Sequence, residues 1–122
     1  AALNAADPKS NVDMLMGIGA APEGVITATA LRGLNAPFEG RLVFKNEGHR
    51  ERAEKMIEGD IERLWARDEL CASDDAVFIG TGVCPGRTFG VEELSDGRFS
   101  VQSEIIDVAN GGHKFVDNIR SL

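Results

Sequence analysis

The run Gly17-Ile18-Gly19-Ala20-Ala21-Pro22-Glu23-Gly24 restricts what this chain can become more than any other segment does. Proline lacks a backbone N–H and holds φ near its helical value, so Pro22 cannot sit inside a strand or a helix, yet it suits a first helical turn. The glycines and alanines before it leave the backbone bare and free to turn. A helix is therefore expected to start at Pro22. Val25, Ile26, Ala28, Thr29, Ala30, Leu31 and Leu34 recur on one helical face until Gly33 and Asn35 stop it. Before the glycines, Val12 to Ile18 is apolar except for Asp13 and reads as a strand. The expected unit is strand, loop, helix.

Arg41-Leu42-Val43-Phe44 is a short apolar run placed where a parallel sheet would receive the returning chain. Glu47 to Ile57 has helical spacing, with Arg50/Glu54 and Glu51/Lys55 pairs on a solvated face. Gly59-Asp60 predicts a break there, followed by a short strand. Ala76 to Val83 is apolar on both parities, as a central strand buried on two faces would be. Arg98 to Val108 and Lys114 to Ile119 flank Asn110-Gly111-Gly112, a hairpin signal. The opening Ala1-Ala2-Leu3-Asn4-Ala5-Ala6 reads as the last turn of a helix begun elsewhere, hence a piece of a longer chain. The whole predicts an α/β fold, residues 1–122 forming one domain, with a layered mixed sheet flanked by helices.

With 13 basic against 20 acidic residues the net charge is −7, which disfavours a nucleic-acid partner, and the apolar runs are too short for a membrane span. Cys71 and Cys84 lack metal-type spacing and read as reduced thiols of a cytoplasmic protein. The chemistry gathers at the glycine run. Small residues let a ligand approach the backbone, and the helix start offers free amides and a positive dipole end to phosphate. A dinucleotide fingerprint fails because its third glycine position is Pro22 and the next strand ends in Phe44-Lys45, not in an acid. Glu23 beside a phosphate cradle suits phosphoryl transfer, where a hard divalent cation takes oxygen ligands and bridges protein to phosphate.

Three separated motifs carry a resemblance to one family. They are Met14-Leu15-Met16-Gly17-Ile18-Gly19-Ala20-Ala21-Pro22-Glu23-Gly24-Val25 with Leu31-Arg32 and Gly40-Arg41-Leu42, then Ser73 to Val83, then Lys114-Phe115-Val116-Asp117-Asn118-Ile119. In that order they resemble the C-terminal part of the bacterial class II fructose-1,6-bisphosphatases, including those that also cleave sedoheptulose 1,7-bisphosphate. The resemblance implies the layered fold of the metal-dependent sugar phosphatases and a cytoplasmic enzyme that removes the 1-phosphate in gluconeogenesis or the Calvin cycle. It implies Mn²⁺ or Mg²⁺ as cofactor and Glu23 as a metal ligand. Substrate contacts fall on Gly19, Ala20 and Ala21; Ala20 stands where the family has glycine and adds a methyl beside the backbone N–H. The family's other metal ligands and its phosphate-gripping basic residues belong to an N-terminal half absent from this sequence, so the chain alone is expected to be inactive. A homo-oligomer is expected. The alternative is a non-catalytic module for sugar-phosphate binding or subunit interaction.

Other residues read as structural. Asp74 and Asp75 form a turn or cap after Ser73. Thr81-Gly82 could face the site or only permit close packing. His49 and His113 have no partner at metal or triad spacing, Trp65 reads as core, and Arg32 and Arg41 suit an anionic ligand as well as a solvated surface.

Overall fold

The computed structural model describes residues 1–121. A short helix α1 (Ala2–Ala5) precedes an extended segment, and helix α2 (Ala21–Gly33) follows it. Strand β1 (Glu39–Gly40) leads to helix α3 (Glu47–Met56), then strand β2 (Trp65–Ala66) and helix α4 (Arg67–Leu70). The rest is β: β3 (Val77–Thr81), β4 (Glu92–Glu93), β5 (Phe99–Asp107) and β6 (His113–Arg120).

Helices α2 and α3 and the β5–β6 hairpin fall where local signals placed them. Pro22 opens α2, and Asn46 caps α3 by accepting the His49 N–H at 3.0 Å. Gly59 takes φ +89° and Gly111 φ +67°, conformations glycine adopts without strain, at the predicted break and turn. The strand after the break is β2, and neither α4 nor β4 was signalled in the sequence.

The sheets differ from expectation. β1 pairs β2 in one small sheet; in the other, β5 is central, with β6 along one side and β3 and β4 along the other. Every pairing is antiparallel, where a mixed sheet was expected. The reason lies at Val12–Ile18, the expected strand, which pairs with nothing among the described residues and is exposed throughout. Arg41–Phe44 is not a strand either, because pairing with Trp65–Ala66 occurs at the two residues before it. β3 is an edge strand, not a central one, and Val77, Ile79 and Thr81 point outward from an uncovered face.

The opposite face carries the core. Ile106 is fully buried, and Gly33 at the end of α2 lies against its Cγ2, so close that a methyl on Gly33 would collide. Ala28, Ala30 and Leu31 of α2, Ile61 and Cys71 complete the buried apolar set among the described residues. Alanines and a terminal glycine let the helix approach the sheet closely. Near the small sheet, the Arg63 guanidinium lies 3.5 Å from the Trp65 ring centroid, and the Trp65 Nε1 is buried with no hydrogen-bond partner among the described residues. Among the described residues no helix is long and apolar enough to cross a membrane.

Candidate functional site

Ala20 is the N-cap of α2, with φ −78° and ψ 158°, and has no side chain able to accept a helical amide. The amide of Gly24 bonds to the Ala20 carbonyl, and Pro22 has no N–H, so the first-turn amides of Ala21 and Glu23 are left without backbone partners among the described residues. Gly19, Ala20, Ala21 and Glu23 therefore sit together, as the sequence reading grouped them, at one exposed loop–helix junction. Gly17, Gly19 and Gly24 have open space where a side chain would be. Bare donor amides, a positive dipole end and room for an approaching group are what an anion needs. The Glu23 carboxylate, in the same turn, accepts no hydrogen bond among the described residues.

That carboxylate fits one ligand position of a hard divalent cation. It does not complete a site: among the described residues no group of three His, Cys, Asp or Glu side chains could hold a metal ion. Chemistry that needs a cation held on several carboxylates has one of them here.

The remaining candidates are tied up or apart. Arg32 donates to the Cys71 carbonyl and to Asp74, and lies 4.0 Å from Asp68, so it serves the α2–α4 junction and not the loop. Ser73 Oγ accepts the Asp75 N–H at 3.1 Å, the turn predicted for that pair. Thr81 Oγ1 bonds Ser103 Oγ at 2.9 Å across β3 and β5. Arg41 and His49 are exposed. Cys71 is buried, Cys84 is exposed, and both are free thiols.

A second polar cluster escaped the sequence reading. Glu104, in the middle of β5, is 2% exposed. Its carboxylate accepts Arg87 Nε at 2.9 and 2.7 Å, and His113 Nε2 lies 2.7 Å from the same Oε1. Arg87 Nη1 reaches further, to the Leu3 carbonyl at 3.4 Å, Asn4 Oδ1 at 3.2 Å and Asp7 Oδ2 at 3.3 Å, pinning α1 to the sheet. Burial pushes the Glu104 carboxyl up, but the hydrogen bonds from Arg87 and His113 outweigh it and hold the group below its ordinary value. The bond to Glu104 raises Arg87, and the Lys9 backbone N–H lowers Asp7. An acid next to Ile105-Ile106 in a strand was the signal available; its partners Arg87 and His113, on other segments, were not. The cluster's members satisfy one another, so it acts as a structural clamp.

Comparison with known proteins adds the family context. Residues 1–120 match the model of the bacterial fructose-1,6-bisphosphatases, glpX-encoded. Among curated relatives, the D-fructose 1,6-bisphosphatase class 2/sedoheptulose 1,7-bisphosphatase 1 of Acaryochloris marina (strain MBIC 11017) is 33% identical over 134 residues, covering 100% of this chain and 39% of that protein. The D-fructose 1,6-bisphosphatase class 2/sedoheptulose 1,7-bisphosphatase of Synechococcus sp. (strain JA-2-3B'a(2-13)) is 36% identical over 98% of this chain and 38% of its own length. The protein of the same name from Thermosynechococcus vestitus (strain NIES-2133 / IAM M-273 / BP-1) is 33% identical with the same coverage. The chain thus spans about two fifths of the length of the relatives it matches.

Proposed function

Because the chain belongs to the bacterial, glpX-encoded fructose-1,6-bisphosphatase family, we propose that it supplies the C-terminal part of a cytoplasmic, metal-dependent sugar bisphosphatase. The substrate on this reading is fructose 1,6-bisphosphate, with sedoheptulose 1,7-bisphosphate as a second substrate, and the reaction is hydrolysis of the 1-phosphate in gluconeogenesis or the Calvin cycle. The observation that carries the reading is the family match over residues 1–120 together with a free carboxylate, Glu23, beside uncapped amides at the start of α2.

The residues divide the work by their chemistry. Glu23 gives one oxygen ligand to Mn²⁺ or Mg²⁺, which when bound supplies charge neutralisation and an acidified water. The amides of Gly19, Ala20 and Ala21 donate toward phosphate oxygens, and Ala20 does so through the backbone, its methyl notwithstanding. The other metal ligands and the basic residues for the sugar phosphate are assigned to the part of the family polypeptide that this chain does not match. By itself the chain is expected to release no phosphate at an enzymatic rate.

The test is a chimera in which residues 1–122 replace the matching part of the Acaryochloris marina relative. Phosphate release from fructose 1,6-bisphosphate with Mn²⁺ supports the reading if Glu23→Gln, with an unchanged melt, lowers kcat by orders of magnitude. Near-normal turnover of Glu23→Gln at low Mn²⁺ would refute the ligand assignment.

One observation favours a second reading, a non-catalytic sugar-phosphate-binding or subunit-interaction module: no group of three ligating side chains is assembled among the described residues. A chimera that folds, binds fructose 1,6-bisphosphate and does not hydrolyse it would select that reading.

A further inference from the structure

The turn that joins β5 to β6 holds the sole Asn-Gly pair of the sequence, Asn110-Gly111. Asparagine is thermolabile because the backbone nitrogen of the next residue can attack its side-chain carboxamide, and glycine, having no side chain, obstructs that attack least. In this turn the carboxamide is fastened at both ends. Its Nδ2 donates to Asp107 Oδ2 at 2.9 Å, and its Oδ1 accepts the Gly112 N–H at 2.7 Å. Asp107 is itself held: its Oδ1 accepts the Ala109 N–H at 2.9 Å, and its own N–H donates to the Gly112 carbonyl at 2.8 Å. Gly111, at φ +67°, supplies the nitrogen that would attack, and its N–H has no backbone partner among the described residues.

We propose that Asn110 is a self-modification site that the folded turn keeps latent. When the hairpin opens, the Gly111 nitrogen bonds to Asn110 Cγ, the Cγ–Nδ2 bond breaks, and ammonia departs carrying the Gly111 amide proton. The succinimide so formed takes up one water at either carbonyl. One C–N bond breaks, leaving aspartate or, where the main chain now runs through the side-chain carbon, isoaspartate. Water is the sole co-reactant. Latency follows from the two fastenings, since ring closure rotates the carboxamide and expels Nδ2, so the bonds to Gly112 and Asp107 must be given up first. Two net hydrogen bonds correspond to a factor of about 5–30 in rate. The change also runs one way. A carboxylate at position 110 has no proton to give Asp107 and sets a like charge where the donor stood, so the brace cannot form again. The rung Ile106↔His113 closes the hairpin beside this turn, and His113 Nε2 lies 2.7 Å from Glu104, so the loss bears on the buried cluster as well.

The test follows aspartate and isoaspartate at position 110 by peptide mapping, with isoaspartyl methyltransferase labelling, in the 122-residue chain held in mildly alkaline buffer with and without denaturing urea. In urea, Asn110 should react ahead of Asn4, Asn11, Asn35, Asn46 and Asn118; without urea its rate should fall on the order of 10-fold. Through sub-denaturing urea the rate should rise in step with hydrogen exchange of the Gly112 amide. Asp107→Ala removes one fastening and should raise the rate in native buffer roughly 5-fold while leaving the rate in urea unchanged. If that variant does not fold, the urea series on the wild type decides alone. Asn110→Asp, one of the reaction's own products, should quicken Gly112 exchange more than the uncharged Asn110→Ser. Equal rates with and without urea, slower modification in Asp107→Ala, another asparagine reacting first in urea, or a Gly112 amide as protected in Asn110→Asp as in the wild type would each overturn the proposal.

Discussion

Replacing Arg87 by methionine should cost this fold more than a typical point change. The substitution keeps the aliphatic bulk but removes the hydrogen bonds from Arg87 Nε to Glu104, at 2.9 and 2.7 Å, and the bonds from Nη1 to Leu3, Asn4 and Asp7. Removing one partner of a buried pair costs ~3–5 kcal/mol. Here the Arg87 side chain keeps 19% exposure and His113 still touches Glu104, so the cost falls to the bottom of that range or just under it, about 2–3 kcal/mol. For 122 residues that is a fall in Tm of roughly 10 °C. The pH dependence is the sharper test. In the wild type the Glu104 carboxyl lies below its ordinary value, so its contribution is full above pH ~4.5 and is lost as pH falls through the folded-state value. In Arg87→Met, burial gains the upper hand and the carboxyl rises, so acidification relieves the variant while it weakens the wild type. The stability gap measured by urea unfolding should be widest at pH 7 and shrink below pH ~4.5. Adding Glu104→Leu should recover at least half the loss, since an apolar replacement leaves no stranded charge. A gap under about 0.5 kcal/mol at pH 7, or one that does not change between pH 7 and 4, would refute the clamp.

Two further outcomes separate packing from propensity. Gly33→Ala gains ~1 kcal/mol of helix propensity but drives a methyl into Ile106, a clash of about 1–3 kcal/mol, so a net loss near 1 kcal/mol is expected. Gly24→Ala, in the same helix with open space around it, should instead stabilise by about 0.5–1 kcal/mol; equal effects in thermal melts would contradict both accounts. Asn46→Ala should cost ~1 kcal/mol by removing the oxygen that accepts the His49 N–H, seen as earlier exchange of the first amides of α3.

What the sequence revealed tracks how local each signal is. Pro22, the charge pairs of α3 and Asn110-Gly111-Gly112 act over a few residues, and each element they announce is present. The junction at the start of α2 was legible for the same reason, since Gly19 to Glu23 are consecutive and the helix start fixes their relation. Strand pairing depends on a partner elsewhere. Val12–Ile18 has the composition of a strand but finds no neighbour among the described residues, and β3, apolar on both parities, has one neighbour and one covered face. Arg87, Glu104 and His113 sit on three different segments, and only the folded chain makes them one cluster.

Trp65 is the sole tryptophan and the chain has no tyrosine, so intrinsic emission excited at long wavelength comes from a single indole. That indole belongs to the small β1–β2 sheet, under the Arg63 guanidinium, and not to the β3–β6 sheet that dominates the backbone order. Fluorescence and circular dichroism therefore watch different parts of the molecule. Where their denaturation curves coincide, the two sheets melt as one cooperative unit; where the emission curve leads, the Trp65 region loosens before the sheet that carries Ile106.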